Sequence, residues 1–183
     1  MEGHERARLF AALPLPGDAV ERLLAWQRRE LPGVPGVRPV SARNLHVTLA
    51  FLGWRPAADA EPILEVLRGA ARAARRPLLT ARGYRETRSV GMLVFDDEEG
   101  RAGVLAASVG EALERLGVYE RERRPWLAHV TVLRFRARPR LSPVVPDLGE
   151  VSPSEVALYH SVLRPTGAQY EIIESVPLGG LTS

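Results

Sequence analysis

Cysteine is absent from this chain of 183 residues. Its absence excludes disulfides, thiolate nucleophiles and the cysteine-based zinc sites that stabilise many small domains. A chain of this length buries enough apolar surface to fold without such crosslinks, and 45% of its residues are hydrophobic. We therefore expect a soluble globular protein in a reducing compartment, the cytoplasm.

Long apolar runs are also missing, since no segment approaches the roughly 20 apolar residues that a membrane-spanning helix needs. The first eight residues, MEGHERAR, are polar and of mixed charge and do not form an apolar leader. The sequence therefore predicts neither a secreted nor a membrane-anchored protein.

Lysine is the third absence, so that all 25 basic residues are arginine, although the net charge is only +3. The planar guanidinium group matches the oxygens of a phosphate better than an ammonium point charge does. This composition favours a phosphate-bearing partner. It also fits a general bias of the chain toward arginine and alanine, and overall charge does not decide between the two explanations.

Segments typical of strands and helices alternate in two similar halves. Apolar periodicity and turn signals predict strands at about 8–15, 45–52, 78–84, 90–95, 127–135, 155–163 and 169–176, and helices at about 19–30, 59–75 and 102–116. Gly53 is expected to end the second strand. Such short connections favour mostly antiparallel sheets. We predict an α+β fold in which residues 1–183 form a single domain, with two pseudo-symmetric lobes around a central cleft and the helices outside.

Each half carries a histidine in the same setting, HVTL at 46–49 and HVTV at 129–132. Only six residues are threonine, so a threonine two places after a given histidine is about a one-in-thirty coincidence, and two such pairs are informative. Residues i and i+2 of a strand project from the same face. His46 with Thr48, and His129 with Thr131, are therefore predicted to face one another across the cleft and to enclose a space of phosphate size.

Two opposed imidazoles are sufficient to hydrolyse a cyclic phosphodiester. One accepts a proton from the attacking water and the other protonates the departing ribose oxygen, and histidine can hold either charge state near pH 7. Hydroxyl groups of the two threonines can donate hydrogen bonds to phosphate oxygens, and Arg134 or Arg124 can neutralise developing charge. We predict that neither a metal nor another cofactor takes part.

Two other interpretations of the histidines are available. An isolated histidine is commonly a satisfied core or surface residue, but this explanation does not account for a matched pair. A metal site is disfavoured because neither segment has the close histidine or acidic spacing of zinc sites, and cysteine is absent.

Four segments resemble the 2H phosphoesterase superfamily, and within it the bacterial and archaeal RNA 2',3'-cyclic phosphodiesterases, also called 2'-5' RNA ligases. The segments are RLFAALPLP (8–16), VSARNLHVTLAFLG (40–53), RPWLAHVTV (124–132) and LYHSVL (158–163), in the order and spacing of that branch. The resemblance covers essentially the whole chain. It departs from the commoner pattern at Leu133, where alanine is usual, and at His160, where a basic or polar residue is frequent.

The resemblance implies that His46 is the proton donor, that His129 is the proton acceptor and that Thr48 and Thr131 bind phosphate. It implies RNA with 2',3'-cyclic phosphate ends, for example tRNA fragments, as substrate, and a 2'-phosphomonoester as product. The same site would join RNA ends if a 5'-hydroxyl replaced water.

A small cyclic nucleotide is the alternative substrate, and a non-catalytic module that binds RNA ends is the alternative function. Two histidines argue against the binding module, because arginine would serve binding in either place. We expect the protein to act as a monomer.

Further candidates are assigned by position. Tyr159 is a candidate substrate contact, since its ring could stack on a nucleobase. Phe51 and Trp126 are out of phase with the histidines in a regular strand and are expected to pack in the core. His160 is expected to be structural or exposed.

Overall fold

Eight strands and three helices form the fold of the computed structural model, which describes residues 5–31 and 33–179. The strands are β1 (Arg6–Pro14), β2 (Val37–Pro39), β3 (His46–Pro56), β4 (Leu79–Glu86), β5 (Val90–Asp97), β6 (His129–Phe135), β7 (Glu155–Arg164) and β8 (Gly167–Pro177). The helices are α1 (Gly17–Glu30), α2 (Ala60–Ala73) and α3 (Arg101–Leu116). The predicted α+β fold is confirmed.

The strands form two four-stranded sheets with the orders β3-β1-β7-β8 and β2-β6-β5-β4. All of the named strand pairs are antiparallel, as the short connections predicted. The first histidine motif lies on β3, at an edge of the first sheet. The second lies on β6, inside the second sheet. Each half of the chain therefore contributes one motif strand to a different sheet.

A continuous hydrophobic core joins the two sheets and the three helices. It includes Leu9 and Val47 of the first sheet, Val130 of the second sheet, Leu23 of α1 and Leu113 of α3. The helices have apolar stripes with the spacing expected for burial of one face. Helix α3 begins after Asp97, whose carboxylate accepts hydrogen bonds from the backbone N–H groups of Ala102 and Gly103 at 2.9 and 2.8 Å.

Both motif strands contain a β-bulge at the same place relative to the histidine. In β3, Ala50 pairs with Ala11 and Thr48 pairs with Ala12, which leaves Leu49 as the extra residue. In β6, Leu133 pairs with Gly91 and Thr131 with Met92, which leaves Val132 as the extra residue. A bulge shifts the alternation of side chains between the two faces of a strand. The residue five places after each histidine thus projects from the same face as the histidine.

The prediction that Gly53 ends the second strand was wrong. Strand β3 continues through Gly53 to Pro56, with a second register shift between the pairs Leu9–Gly53 and Phe10–Phe51. Gly53 has a φ of +70°, a left-handed conformation that glycine adopts without steric cost. Glycine here marks a bulge within a strand, and the strand continues beyond it along the edge of the sheet.

Candidate active site

His46 is the first residue of β3 and is oriented by two hydrogen bonds. Its Nδ1–H donates to the backbone carbonyl oxygen of Asn44 at 2.8 Å, and its Nε2 lies 3.0 Å from the hydroxyl oxygen of Thr48. Asn44 ends a 3-10 helix (Ala42–Asn44) that directly precedes the strand. Because a carbonyl oxygen only accepts, the Nδ1 contact fixes the proton on Nδ1 and leaves Nε2 to face the cleft.

His129 is positioned in the same way at the start of β6. Its Nδ1–H donates to the carbonyl oxygen of Leu127 at 2.9 Å, two residues earlier in the chain, as in the first motif. Thr131 lies two residues further along the strand and, like Thr48, is partly exposed. The sequence repeat is therefore also a repeat of local geometry, in which each imidazole presents Nε2.

The two bulges bring Phe51 and Arg134 to equivalent positions on the two motif strands. Phe51 is 47% exposed and its ring lies 6.5 Å from that of Phe10, which in turn lies 5.0 Å from the ring of His46. The prediction that Phe51 packs in the core was wrong, because it assumed regular alternation through Leu49. One motif strand thus supplies an aromatic ring and the other a guanidinium group.

Arg134 reaches the surroundings of His46 through Tyr170. The Arg134 guanidinium donates to the hydroxyl oxygen of Tyr170 at 3.1 Å, and the Tyr170 ring lies edge-on 5.4 Å from the His46 ring. The backbone N–H of Tyr170 donates to the side-chain carbonyl of Asn44 at 3.2 Å. Asn44 and Tyr170 were missed from the sequence. Asn44 lies two residues before His46, within segment 40–53, and this position could have indicated it. No sequence pattern distinguishes Tyr170.

The surroundings of His46 lower the pKa of its imidazole. Burial, the nearby Arg134 and His129 together lower the pKa of His46 to about 4, against a smaller opposing effect of the Asn44 carbonyl. The imidazole is thus neutral at pH 7. Strands β3 and β6 contact one another, and the Trp126 indole N–H, three residues before His129, donates to the Thr48 carbonyl on β3.

Tyr159 and Arg124 occupy different environments. Tyr159 is only 2% exposed, because Phe10 stacks on its ring at 4.8 Å, and the ring lies 5.7 Å from His46. Tyr159 thus packs in the aromatic cluster beside His46, and burial raises the pKa of the Tyr159 hydroxyl. The Arg124 side chain is 86% exposed and pairs with Glu122 at 3.2 Å.

Trp126 and His160 have structural contacts. The Trp126 ring packs against the core, as expected. Its indole N–H also donates a hydrogen bond of 3.1 Å to the backbone carbonyl of Thr48 in the first motif. His160 alternates with Tyr159 and Ser161 along β7 and pairs with Glu171 at 2.8 Å on the opposite face of the sheet. It does not join the other two imidazoles.

Within residues 5–31 and 33–179, no group of three or more histidine, aspartate or glutamate side chains is placed to hold a metal ion. Over the same ranges, no helix combines the length and the apolar character required to cross a bilayer.

Comparison with known proteins gives consistent matches. The family model "LigT like Phosphoesterase" matches residues 13–85. A protein of Thermus thermophilus named RNA 2',3'-cyclic phosphodiesterase is 32% identical, with 94% of this chain and 91% of the relative covered. A protein of Escherichia coli with the same name is 34% identical, with 71% of this chain and 73% of the relative covered.

Solved structures resemble the whole fold. The crystal structure of TT0787 of Thermus thermophilus has a TM-score of 0.80 and 29% identity, covering 95% of this chain and 100% of that one. Escherichia coli LigT in complex with 3'-AMP has a TM-score of 0.81 and 27% identity, covering 95% and 99%. The two-sheet architecture is that of a phosphoesterase. This chain belongs to the LigT-like phosphoesterase family, and its relatives named RNA 2',3'-cyclic phosphodiesterase confirm the resemblance noted in the sequence.

Proposed function

We propose that this protein hydrolyses 2',3'-cyclic phosphodiester ends of RNA to 2'-phosphomonoesters. The observation that carries the proposal is the pair of histidine strands, one from each sheet, in which each imidazole donates its Nδ1–H to the carbonyl two residues earlier and leaves Nε2 for the substrate. The relatives named RNA 2',3'-cyclic phosphodiesterase support the same activity. The LigT complex with 3'-AMP supports a site of nucleotide size.

In the proposed reaction, a water oxygen attacks phosphorus on the side opposite to the ribose 3'-oxygen. Neutral His129 accepts a proton from that water at Nε2, and protonated His46 gives its Nε2 proton to the 3'-oxygen as the bond from phosphorus to that oxygen breaks. The product carries a 2'-phosphate and a 3'-hydroxyl. The two imidazoles have then exchanged charge states, and exchange with solvent restores them.

The proton-donor role requires His46 to gain a charge when substrate binds, because a pKa of about 4 leaves the imidazole neutral at pH 7. A phosphodiester anion beside Arg134 offsets the positive field that lowers the pKa of His46. Substrate binding and protonation of His46 therefore favour each other. When His46 is neutral the Thr48 hydroxyl donates to Nε2, and protonation of Nε2 breaks this bond, which frees the hydroxyl hydrogen for a phosphate oxygen.

The remaining candidate side chains take supporting roles in this proposal. Thr131 mirrors Thr48 and donates to a second non-bridging oxygen. Arg134, oriented by Tyr170, neutralises charge on the phosphate. Tyr159 acts through its packing on Phe10 rather than as an open stacking surface. Arg124, exposed on its loop, contributes to long-range attraction of the polyanion.

We further propose that RNA, including tRNA fragments, is the substrate in preference to small cyclic nucleotides, and that a monomer in the cytoplasm is the working form. Ligation uses the same site, with a 5'-hydroxyl oxygen replacing water and its proton passing to His129. Joining is then the same displacement with a different nucleophile, so every variant that abolishes hydrolysis also abolishes joining.

Incubation with an oligoribonucleotide that ends in a 2',3'-cyclic phosphate tests the activity. The expected product carries a 2'-phosphate, which a phosphomonoesterase releases as inorganic phosphate, whereas the cyclic end resists that enzyme. Recovery of the unchanged cyclic end, with binding intact, would instead establish a non-catalytic module.

Sulfur substitution separates the two histidine roles. A substrate with sulfur in place of the 3'-oxygen has a leaving group that needs no proton from an acid. His46→Ala should regain much of its lost rate on this substrate relative to the normal one, whereas His129→Ala should remain equally impaired on both. The opposite pattern would assign the donor role to His129.

A further inference from the structure

An open strip of side chains continues from the active site along the same face of the first sheet. Phe10 pairs with Phe51, and two register positions further toward the end of the sheet Arg8 pairs with Trp54. Residues paired in an antiparallel sheet project from the same face. Arg8 and Phe51 interact, with the guanidinium carbon 4.9 Å from the ring centroid. This strip of Phe51, Arg8, Trp54 and Arg6 is not used by the hydrolytic reaction.

The strip combines exposed aromatic rings with unpaired positive charge. Phe51 and Trp54 are 47% and 52% exposed, whereas Trp26 is buried. In the described part of the chain, neither Arg6 nor Arg8 forms a salt bridge, and the Arg6 guanidinium donates instead to the backbone carbonyl of Trp54 at 2.8 Å. By contrast, Arg121 and Arg124, which precede the second motif, pair with Glu114 and Glu122.

A hollow of about 480 Å³ lies at the far end of the strip, where the pairing of β1 with β7 stops after Arg8 and Ser161. Its lining contains Arg6, Arg8 and Trp54 with a single carboxylate, that of Glu5. Ser161 also lines it and is 8% exposed, and its hydroxyl is the buried side-chain oxygen without a hydrogen-bond partner among the described residues. The arginines outnumber the carboxylate in the lining of this hollow.

We propose that this strip binds the nucleotides on the 5' side of the cyclic end. Successive positions on one face of a strand lie about 7 Å apart, close to the spacing of nucleotides in an extended single strand. Nucleobases stack on the Phe51–Arg8 pair and on Trp54, as bases stack on aromatic rings and guanidinium planes in single-strand-binding proteins. Arg6 binds the backbone phosphate or ribose oxygens in the hollow.

The consequence is a preference for oligonucleotides, and it rests on the proposed hydrolytic function. A cyclic mononucleotide occupies the cleft between His46 and His129 alone, whereas a chain of three or more residues also covers the strip. We expect kcat/KM to be higher for a cyclic-phosphate-ended trinucleotide than for the mononucleotide, mainly through a lower KM. This preference should weaken as salt increases, because the strip attracts backbone phosphates.

Substitution of Trp54 tests the strip with a matched pair of variants. Trp54→Leu removes the ring and keeps apolar bulk, whereas Trp54→Phe keeps a ring. Trp54→Leu should lower the ratio of trinucleotide to mononucleotide kcat/KM by about tenfold, and Trp54→Phe should keep most of the ratio. Val104→Ala, which trims an exposed apolar side chain on α3, is the control and should leave the ratio unchanged.

The outcomes separate the two proposals. If neither substrate is hydrolysed by the parent protein, the proposed function fails. If both are hydrolysed with equal kcat/KM, or if Trp54→Leu retains the parental ratio, hydrolysis stands and the RNA-binding strip is refuted. A Trp54→Leu variant that changes the oligomeric state while keeping the parental ratio would likewise refute it, in favour of a contact between copies of the chain.

Discussion

The indole N–H of Trp126 donates a hydrogen bond of 3.1 Å to the backbone carbonyl oxygen of Thr48. Trp126 stands three residues before His129, and Thr48 two residues after His46. This bond therefore links the segment before one motif strand to the backbone of the other, next to the bulge at Leu49. We infer that it fixes the separation of the two imidazoles.

The first prediction follows from this link. Trp126→Phe keeps a ring in the core but removes the donor, so the free energy of unfolding should fall by about 1 kcal/mol. Its kcat should fall further, by roughly tenfold, because small displacements of positioned groups are costly to the rate. Trp26→Phe is the matched control, since its indole N–H donates to the Val144 carbonyl at 2.7 Å. Equal effects of the two substitutions on kcat would contradict a positioning role for Trp126.

The second prediction concerns stability and pH. The pKa of His46 is about 4 in the folded protein, below its ordinary value of 6.5, so the unfolded chain binds more protons between these values. The contribution of neutral His46 to stability is complete above about pH 6.5 and is lost as the pH falls toward 4. It amounts to about 2.5 kcal/mol between pH 7 and pH 4.5.

Urea unfolding of the parent and of His46→Gln at the two pH values isolates this contribution from that of the carboxylates. The variant should lose less stability on acidification than the parent does. Titration of the His46 imidazole by NMR, with and without 2'-AMP, should show that the bound 2'-phosphate raises its pKa. Equal acid sensitivity of the two proteins, or an unchanged pKa with ligand, would contradict the electrostatics assigned to His46.

The third prediction is that the two threonines matter less than the histidines. Thr48→Val and Thr131→Val should each lower kcat by at most ~10²-fold to 10³-fold, since each removes a single donor to the developing charge. Thr80→Val, at an exposed position on β4, is the control. Parental kcat in both cleft variants would show that the phosphate is held by other groups.

The fourth prediction is that chelation leaves hydrolysis intact. The proposed reaction obtains its base, its acid and its charge stabilisation from protein side chains. We expect the same kcat/KM before and after dialysis against EDTA. Loss of activity that a divalent ion restores would require a metal-assisted mechanism.

The sequence predicted the three helices, seven of the eight described strands and the candidate histidine pair, because these depend on local patterns. It missed β2, in a Pro/Gly-rich segment expected to be a loop, because this three-residue strand forms only by pairing with β6. Alternation of apolar residues indicated the strands, and the repeated HVT segment indicated His46 and His129. The bulges at Leu49 and Val132 arise from pairing with β1 and β5, which no local pattern reports. Arg134 was chosen for its charge and proximity to the motif, whereas its orientation toward Tyr170 depends on the bulge.

The surroundings of His46 were also beyond prediction from the sequence. Tyr170 comes from β8, more than a hundred residues away along the chain, and reaches Asn44 because β8 lies beside the 3-10 helix. The low pKa of His46 likewise results from burial and from charges on the other sheet. Properties that depend on the approach of the two sheets required the folded structure.

The paired action of the two imidazoles is the central claim, and single and double variants test it most directly. The measurement is the rate at which a cyclic-phosphate-ended RNA is opened by His46→Ala, His129→Ala, the double variant and the control Val104→Ala, at an exposed position on α3. We predict that each cleft variant loses most of the activity and that the control keeps parental turnover. The double variant should be little worse than the more impaired single variant, because the two residues act as a unit. Near-parental turnover by either His46→Ala or His129→Ala would contradict the claim.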